Sequence, residues 1–176
     1  MKMSEQLFEQ LTWYMHQTNT KPYNGKRAEI LGIGGRDVQV APGAQVRIPP
    51  EQIGKNVFIG LFSYLNGNVT IEDYVLIGPH CSIVAGNHRY SPVTDAYYPD
   101  REEDVPVVIG RGSWIASNVT ITPGVHIGKA NLICAGAVVT KSTPDYAIMA
   151  GVPAKQIGKV NPETGTYEYF HGGEGK

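Results

Sequence analysis

The chain has 176 residues, which is long enough for one domain with a substantial core, and its net charge is −1. Its basic and acidic residues are interspersed, which excludes the basic stripe of a nucleic-acid-binding protein, and it has no apolar run long enough for a membrane span. The N-terminal segment lacks the apolar core of a secretory signal, and the two cysteines have no CxxC partner. We therefore expect a cytoplasmic protein with reduced thiols.

The N-terminal segment, 1–36, is predicted to be one helix and a loop. Ser4 is a suitable N-cap for a helix over 4–17, whose apolar residues recur at helical spacing on one face: Leu7, Phe8, Leu11, Tyr14 and Met15. The turn-forming residues Pro22, Asn24-Gly25 and Gly34-Gly35 predict a loop over 21–36.

A six-residue period then dominates residues 37–160. Val40 and Val46 begin it, and a one-residue slip near Pro49-Pro50 resets it to two series: Ile53, Ile59, Leu65, Ile71, Ile77 and Ile83, and then Ile109, Ile115, Ile121, Ile127, Ile133 and Val139. Neither an α-helix nor an ordinary strand requires this period. It predicts a solenoid whose coils stack around one continuous core, with three hexads in each triangular coil.

Each hexad also has a characteristic second and fifth residue. The second is often glycine, which we interpret as a turn residue that tolerates positive φ: Gly54, Gly60, Gly78, Gly110 and Gly128. The fifth is small or β-branched, as at Val57, Ser63 and Cys81. Short strands joined by tight turns explain this pattern.

The period is interrupted once, between Ile83 and Ile109. The intervening sequence predicts a loop excursion over 87–107, and a long loop inside an otherwise strict solenoid is more often functional than accidental. The C-terminal tail, 161–176, is polar and glycine-rich at its end. We expect Tyr167–Phe170 to cap the last coil.

The hexads, the GNH at the start of the loop, VVIGRGSWIASNVTITPGVHIG, ICAGAVVTK and AGVPAK together resemble the hexapeptide-repeat acyltransferases. Within that family they resemble the sugar O-acetyltransferases of the galactoside, maltose and polysaccharide-modifying type. The resemblance implies an all-β solenoid, a left-handed parallel β-helix, assembled as a homotrimer with active sites between subunits. It also implies acetyl-CoA as donor and a hydroxyl of a sugar or sugar-containing molecule as acceptor.

His88 is the expected catalytic base, because histidine titrates near neutral pH and can take the proton of an attacking hydroxyl. It lies where the strict coil gives way to the loop, and it matches the family's catalytic histidine. A carboxylate or carbonyl is expected on its other ring nitrogen. The sequence does not choose among the loop carboxylates, which are Asp95, Asp100, Glu102, Glu103 and Asp104.

The resemblance also implies a set of cofactor contacts. Ser117 matches a position near the thioester, where a small hydroxyl or backbone N–H groups stabilise the developing oxyanion. Small residues let the pantetheine arm approach the backbone, and lysines suit its phosphates. The expected cofactor residues are Trp114, Ser117, Ala135, Gly136, Thr140, Lys141 and Lys155. The galactoside enzyme has an arginine at the Lys155 position and another three residues later, where this chain has Gly158.

Asn66 and Trp114 are the expected acceptor residues. Asn66 resembles the family's acceptor-binding aspartate, and an amide can donate and accept hydrogen bonds to sugar hydroxyls. The same residue is equally well explained as the first member of an Asn-Gly turn. Tyr90, Tyr97 and Tyr98 either stack on a sugar ring or pack the loop.

Three other functions remain open. The acceptor group could be the amine of an amino sugar or nucleotide-sugar, the fold could serve as a scaffold without catalysis, or it could hold a metal as carbonic-anhydrase-like β-helices do. His80, His88 and His126 lack the close His-x4-His pair of that last family, so we expect no metal. Cys134 has no evident partner base, so direct transfer is expected rather than an acetyl-cysteine.

Overall fold

Two helices precede a solenoid of short strands in the computed structural model, which describes residues 3–101 and 104–170 and only the backbone of 99–101. The helices are α1 (Glu5–Gln17) and α2 (Lys21–Ile30), and a short 3-10 helix spans Pro50–Gln52. As predicted, the Ser4 side chain caps α1 by accepting the backbone N–H of Leu7 at 3.2 Å. None of the helices in these ranges is long and apolar enough to cross a membrane.

The strands form three parallel sheets and one separate hairpin. In chain order they are β1 (Gln39–Val40), β2 (Gln45–Arg47), β3 (Phe58–Ile59), β4 (Tyr64–Asn66), β5 (Val69–Ile71), β6 (Leu76–Ile77), β7 (Ser82–Val84), β8 (His88–Ser91), β9 (Ala96–Arg101), β10 (Val107–Ile109), β11 (Trp114–Ile115), β12 (Thr120–Ile121), β13 (His126–Ile127), β14 (Leu132–Ile133), β15 (Val138–Val139), β16 (Ala147–Ala150), β17 (Lys155–Val160) and β18 (Tyr167–Tyr169). We call the sheets A (β1, β3, β6, β11, β14, β16, β17, β18), B (β2, β4, β7, β12, β15) and C (β5, β10, β13). Strands β8 and β9 form the hairpin.

The register confirms the predicted coil. Ile59 pairs with Ile77, Ile77 with Ile115 and Ile115 with Ile133 in sheet A, so successive coils repeat every 18 residues on either side of the excursion. All twelve residues of the two predicted series are at most 1% exposed. The chain is therefore a left-handed parallel β-helix with an isoleucine-rich core, as the sequence predicts.

The second-place glycines serve a different purpose from the one predicted. Gly54, Gly60, Gly78, Gly110 and Gly128 are absent from the residues with positive φ. A Cβ at each of them would instead lie 2.5–2.8 Å from the next coil's backbone. The prediction of a left-handed turn at this place is wrong, because the constraint there is the close approach of neighbouring coils.

Positive φ falls on the fourth residue of the hexad. On the edge between sheets A and B (the A–B edge) these residues are Phe62, His80, Asn118 and Gly136, with Gly43 before them. On the edge between sheets C and A (the C–A edge) they are Asn56, Tyr74, Gly112, Ala130 and Tyr146. Two of the three edges therefore carry a column of residues in the left-handed conformation, and on the third edge, between sheets B and C, Gly67 and Gly124 adopt it.

The predicted loop over 21–36 is wrong in part, because α2 occupies 21–30. Pro22 lies in its first turn, where proline is compatible with a helix. Arg27 joins the helix to its surroundings by donating to the backbone carbonyls of Thr18, at 3.1 Å, and Val40, at 3.3 Å. Tertiary contacts therefore override the turn signals in this segment.

Local irregularities occur within the first coil and after the last coil of the solenoid. The 3-10 helix at 50–52 absorbs the one-residue slip in the hexads. At the other end, β17 pairs antiparallel with β16, and β18 pairs antiparallel with β17. The predicted cap thus takes the form of two added strands that extend sheet A.

Candidate functional site

The hairpin leaves the solenoid at the edge between sheets B and C (the B–C edge), after β7. Its base is fixed to the preceding coil. Val105 N–H donates to the Ala85 carbonyl at 2.8 Å, and Val107 N–H donates to the Asn68 carbonyl at 3.0 Å. The Asp104 carboxylate accepts the backbone N–H of Asn68 at 2.8 Å. These bonds hold the start and end of the excursion together.

Aromatic side chains stabilise the hairpin itself. Tyr90 and Tyr97 pack edge to face with ring centroids 5.6 Å apart, and the Arg89 guanidinium lies 5.1 Å from the centroid of the Tyr98 ring. The Tyr90 hydroxyl donates to the Asp95 carboxylate, and this hydrogen bond raises the pKa of Tyr90. The tyrosines thus pack the loop, and Tyr97 remains 71% exposed.

His88 is the first residue of β8, and its ring is oriented by the backbone. Its Nδ1 atom lies 3.0 Å from the Tyr98 carbonyl oxygen. Because a carbonyl oxygen only accepts hydrogen bonds, Nδ1 carries the proton in this arrangement. The lone pair of the neutral ring is then on Nε2, and the side chain is exposed. This is the tautomer that a general base needs.

The group on the other ring nitrogen is therefore a carbonyl rather than a carboxylate. Asp95 is engaged with Tyr90, and Asp104 fixes the loop base. The Asp100 side chain and residues Glu102 and Glu103 lie outside the described part of the chain. The sequence could not identify Tyr98 as the partner, since a backbone carbonyl belongs to every residue type.

Three of the expected cofactor residues meet at the A–B edge. Ser117 follows β11, and Ala135 and Gly136 occupy the same place one coil later, where Gly136 N–H donates to the Ser117 carbonyl at 2.9 Å. Ala135 and Gly136 are exposed and Ser117 is half-buried. A Cβ built on Gly136 would meet nothing within 4 Å, so the surface is open there.

Trp114 lies beside this edge on the outer surface of sheet A. It pairs with Leu76 in the preceding coil and Leu132 in the next, and it is 46% exposed. The structure therefore brings Trp114 and Ser117 to adjoining parts of one coil.

Asn66, Thr140 and Lys141 lie elsewhere. Asn66 ends β4 and Thr140 and Lys141 follow β15, which places all three towards the B–C edge, with His88. Asn66 Nδ2 donates to the Tyr64 hydroxyl at 2.8 Å, and the backbone carbonyl of Asn66 accepts the N–H of Ala85 at 3.1 Å. Lys155 begins β17 and is exposed; it pairs with Ala150, which follows the partner of Ile133, so it lies on the A–B side, one step beyond Ala135.

The expected site is thus divided between two edges of the solenoid. Ser117, Ala135 and Gly136 precede the strands of sheet B, whereas His88 and Lys141 follow them. One face of the coil, six residues long, separates the groups by on the order of 15 Å. In a single chain these expected residues therefore form two separate groups, which we call half-sites.

One aromatic pair on the A–B edge was missed by the sequence reasoning. The rings of Phe62 and His80 are stacked, with centroids 5.5 Å apart and planes inclined by 12°. Both residues are exposed, and both adopt positive φ. Their shared place as the fourth residue of successive A–B hexads was the available signal.

The remaining reactive side chains are the two cysteine thiols and the other histidines. Burial raises the pKa of both Cys81 and Cys134. Within residues 3–101 and 104–170, no group of three His, Cys, Asp or Glu side chains is arranged to hold a metal ion. His126 lies exposed on sheet C.

Comparison with known proteins agrees with this architecture. A family model described as bacterial transferase hexapeptide (six repeats) matches residues 52–85 and 106–141, which are the regions on either side of the hairpin. The chain is 38% identical over 126 residues to a galactoside O-acetyltransferase of Escherichia coli K12, an alignment that covers 66% of this chain and 60% of that protein. Alignments with the next two curated relatives likewise span 60–61% of their length.

Solved structures extend the match over more of the chain. A maltose O-acetyltransferase from Clostridium difficile 630 superposes with a TM-score of 0.66 at 30% identity, covering 87% of this chain and 84% of that one. A galactoside acetyltransferase in complex with coenzyme A superposes with a TM-score of 0.54 at 29% identity, covering 98% and 90%. The sequence and the fold agree, and the chain belongs to the hexapeptide-repeat acyltransferase family.

Proposed function

We propose that the protein is an acetyl-CoA-dependent O-acetyltransferase that acts on a hydroxyl of a sugar or sugar-containing acceptor. The observation that carries the proposal is the hydrogen bond between His88 Nδ1 and the Tyr98 carbonyl, which leaves Nε2 as a base at the start of the hairpin. The β-helix over 37–160 would be the catalytic domain. The family membership supports the reaction class.

In the proposed mechanism His88 acts directly on the acceptor. Nε2 accepts the proton of the hydroxyl as its oxygen forms a C–O bond to the acetyl carbonyl carbon. The C–S bond then breaks, and the imidazolium returns its proton to the departing thiolate. The Ser117 hydroxyl would stabilise the oxyanion that develops between these steps. No covalent acetyl-enzyme is required.

The A–B edge fits the pantetheine arm of the donor. Ala135 and Gly136 offer exposed backbone without large side chains, and the surface is open at Gly136. Thr140, Lys141 and Lys155 would contact the nucleotide end, where lysine suits exposed phosphates without requiring bidentate geometry. The donor supplies an acetyl group already activated as a thioester.

We infer that the active form is a homotrimer whose sites lie between subunits. In such an assembly the B–C edge of one subunit faces the A–B edge of the next, which joins the two half-sites. A cyclic rotation about an axis parallel to the solenoid does not move a residue along that axis, so equivalent residues of the three subunits lie at the same height. Because the hairpin leaves from β7 and returns to β10, its height agrees with that of Ser117, at the start of the following strand of sheet B.

The outer surface of sheet A supports an assembled form. Large apolar side chains occupy one outward column on successive strands: Phe58, Leu76, Trp114 and Leu132. Leu76 and Trp114, in the middle of this column, are 49% and 46% exposed in the single chain, whereas Leu132 at its end is only 9% exposed. Exposed apolar columns of this kind mark interaction surfaces, including ligand grooves between subunits.

The free thiols are consistent with a cytoplasmic setting.

The activity is tested by thiol release from acetyl-CoA in the presence of candidate acceptors. The panel should include methyl β-galactoside, maltose, glucosamine and a nucleotide-linked amino sugar, followed by mass determination of the product. Acetylation of a hydroxyl supports the proposal. Acetylation of only the amines would reassign the protein to N-acetyl transfer, and thiol release with none of them would count against a sugar acceptor.

Subunit mixing tests the shared site. His88→Ala removes the base, and Ala135→Trp obstructs the cofactor groove, so each variant alone should be inactive. If one subunit supplies His88 and its neighbour supplies Ala135, co-expression in equal amounts restores roughly a quarter of wild-type turnover, since each mixed trimer contains one intact site. Sites confined to one chain would give no recovery.

A further inference from the structure

The stacked pair Phe62–His80 occupies the A–B edge, the edge that carries Ser117 and Gly136. Asn118 N–H donates to the Pro79 carbonyl at 2.9 Å, and His80 N–H donates to the Leu61 carbonyl at 2.8 Å. The turns of Phe62, His80 and Ser117 are therefore consecutive steps of one column, about 4.8 Å apart. A ligand lying along this edge past Ser117 would next meet His80.

The orientation proposed for acetyl-CoA leaves the turns of Phe62 and His80 available to the acceptor. Lys141 and Lys155 lie at the C-terminal end of the solenoid, so phosphates bound there direct the thioester towards Ser117 and the N-terminal coils. The hairpin that carries His88 leaves from the coil of His80 and returns to the coil of Ser117. In the proposed trimer, the neighbouring base would therefore approach at the height between these two turns.

The backbone at Phe62 and His80 indicates a role beyond turn formation. Bulky residues with positive φ are uncommon, and the same edge uses Gly43, Asn118 and Gly136 at the equivalent place. On the C–A edge, Tyr74 and Tyr146 also have positive φ, but their rings pack against Arg111 and Lys129. Phe62 and His80 stack on each other and stay exposed. Strained residues of this kind cluster at ligand sites.

We propose that Phe62 and His80 form an acceptor subsite that binds the apolar C–H face of a pyranose ring and so determines acceptor specificity. The two rings present an aromatic edge, and a ring nitrogen of His80 can hydrogen-bond a sugar hydroxyl. The subsite rests on the proposed acetyltransferase function, because the position of Ser117 identifies it as the acceptor side.

The test uses variants that copy residues found on these edges. Phe62→Asn and His80→Asn reproduce Asn118, and the control Tyr74→Asn reproduces Asn56 on the C–A edge. With the panel sugar that the wild type acetylates best, each A–B variant should raise the acceptor KM about two- to tenfold, the factor that corresponds to about 0.5–1.5 kcal/mol for one aromatic contact. The KM for acetyl-CoA and the melting temperature should not change, and Tyr74→Asn should leave both KM values unchanged.

Saturation-transfer NMR with methyl β-galactoside and maltose provides a readout independent of turnover. Ring C–H protons of a bound sugar should be saturated in the wild type, and this signal should be weaker in Phe62→Asn at the same sugar concentration. Turnover with an unchanged acceptor KM in both variants would overturn the subsite and leave the acetyltransferase proposal standing. Sugar binding that depends on Phe62 without any acetyl transfer would support the subsite and overturn the acetyltransferase proposal. A rise in the acetyl-CoA KM alone would assign the Phe62–His80 pair to the donor and overturn the subsite.

Discussion

His88 Nδ1 lies 3.0 Å from the Tyr98 carbonyl oxygen, so the two strands of the hairpin fix the ring that we propose as the base. His88→Ala should lower kcat by about 10²–10⁴-fold, the usual contribution of a general base. Steady-state kinetics measures this loss, and equilibrium titration should show that acetyl-CoA still binds. His126→Ala is the matched control, since His126 is an exposed histidine on another face. Unchanged turnover in His88→Ala would refute the assignment.

Cys134 is adjacent to the proposed cofactor groove, but burial raises the pKa of its thiol. A raised pKa leaves a smaller thiolate fraction at pH 7, and the thiolate is the nucleophile. Cys134→Ser should therefore keep wild-type kcat, and alkylation of Cys134 by iodoacetamide should be slower than that of a free thiol and accelerate as the pH rises. A burst of thiol release that disappears in Cys134→Ser would instead indicate an acetyl-cysteine.

Gly110 and Gly112 lie in one turn, and glycine is present for a different reason at each: close approach of the next coil at Gly110 and positive φ at Gly112. A Cβ on Gly110 would lie 2.6 Å from the backbone of the next coil, whereas one on Gly112 would meet nothing within 4 Å. Gly110→Ala should lower the free energy of unfolding by about 1–3 kcal/mol because the coils must separate. Gly112→Asn should be close to neutral, since Asn118 has the same positive φ. Denaturant unfolding measures both, and equal losses would contradict the steric explanation.

The core could be predicted from the sequence because coil geometry imposes its spacing directly on the inward residues. Ile59, Ile77 and Ile115 pair in register even though the hairpin separates the last two. The roles within a turn could not be predicted in the same way. Glycine is suitable both for positive φ and for close backbone approach, and the sequence does not distinguish these reasons.

The site was predictable only as a set of residues. His88, Ser117 and Lys141 were named from motifs, but their division between two edges depends on which strand each one precedes or follows. The helix at 21–30 was missed because Arg27 stabilises it through contacts with distant backbone carbonyls. Such contacts leave no local pattern, and neither does the carbonyl of Tyr98.

Lys141 tests the nucleotide end of the proposed cofactor site. Lys141→Ala should weaken acetyl-CoA binding by less than about 3 kcal/mol, the upper range for a hydrogen bond to a charged group. Calorimetric titration at low and high salt should show that the loss is larger at low salt, because exposed charges are screened. Lys55→Ala is the control on the C–A edge. An unchanged acetyl-CoA affinity would remove Lys141 from the site.

The hairpin should be separable from the solenoid. Ile71 pairs with Ile109 and Ile83 with Ile121, so the coils continue in register across the excursion. Replacing residues 85–106 with Gly-Asn would copy Gly67-Asn68, which connects the same two sheets between β4 and β5, and would restore the six-residue spacing between Ile83 and Ile109. Circular dichroism and thermal melting should show a folded β-helix, because the isoleucine core is unchanged. Turnover should fall by at least about 10²-fold, since the base is removed with the hairpin. A folded variant that retains wild-type turnover would place the catalytic base outside the hairpin, and His88→Ala in the full chain would then have to be active as well.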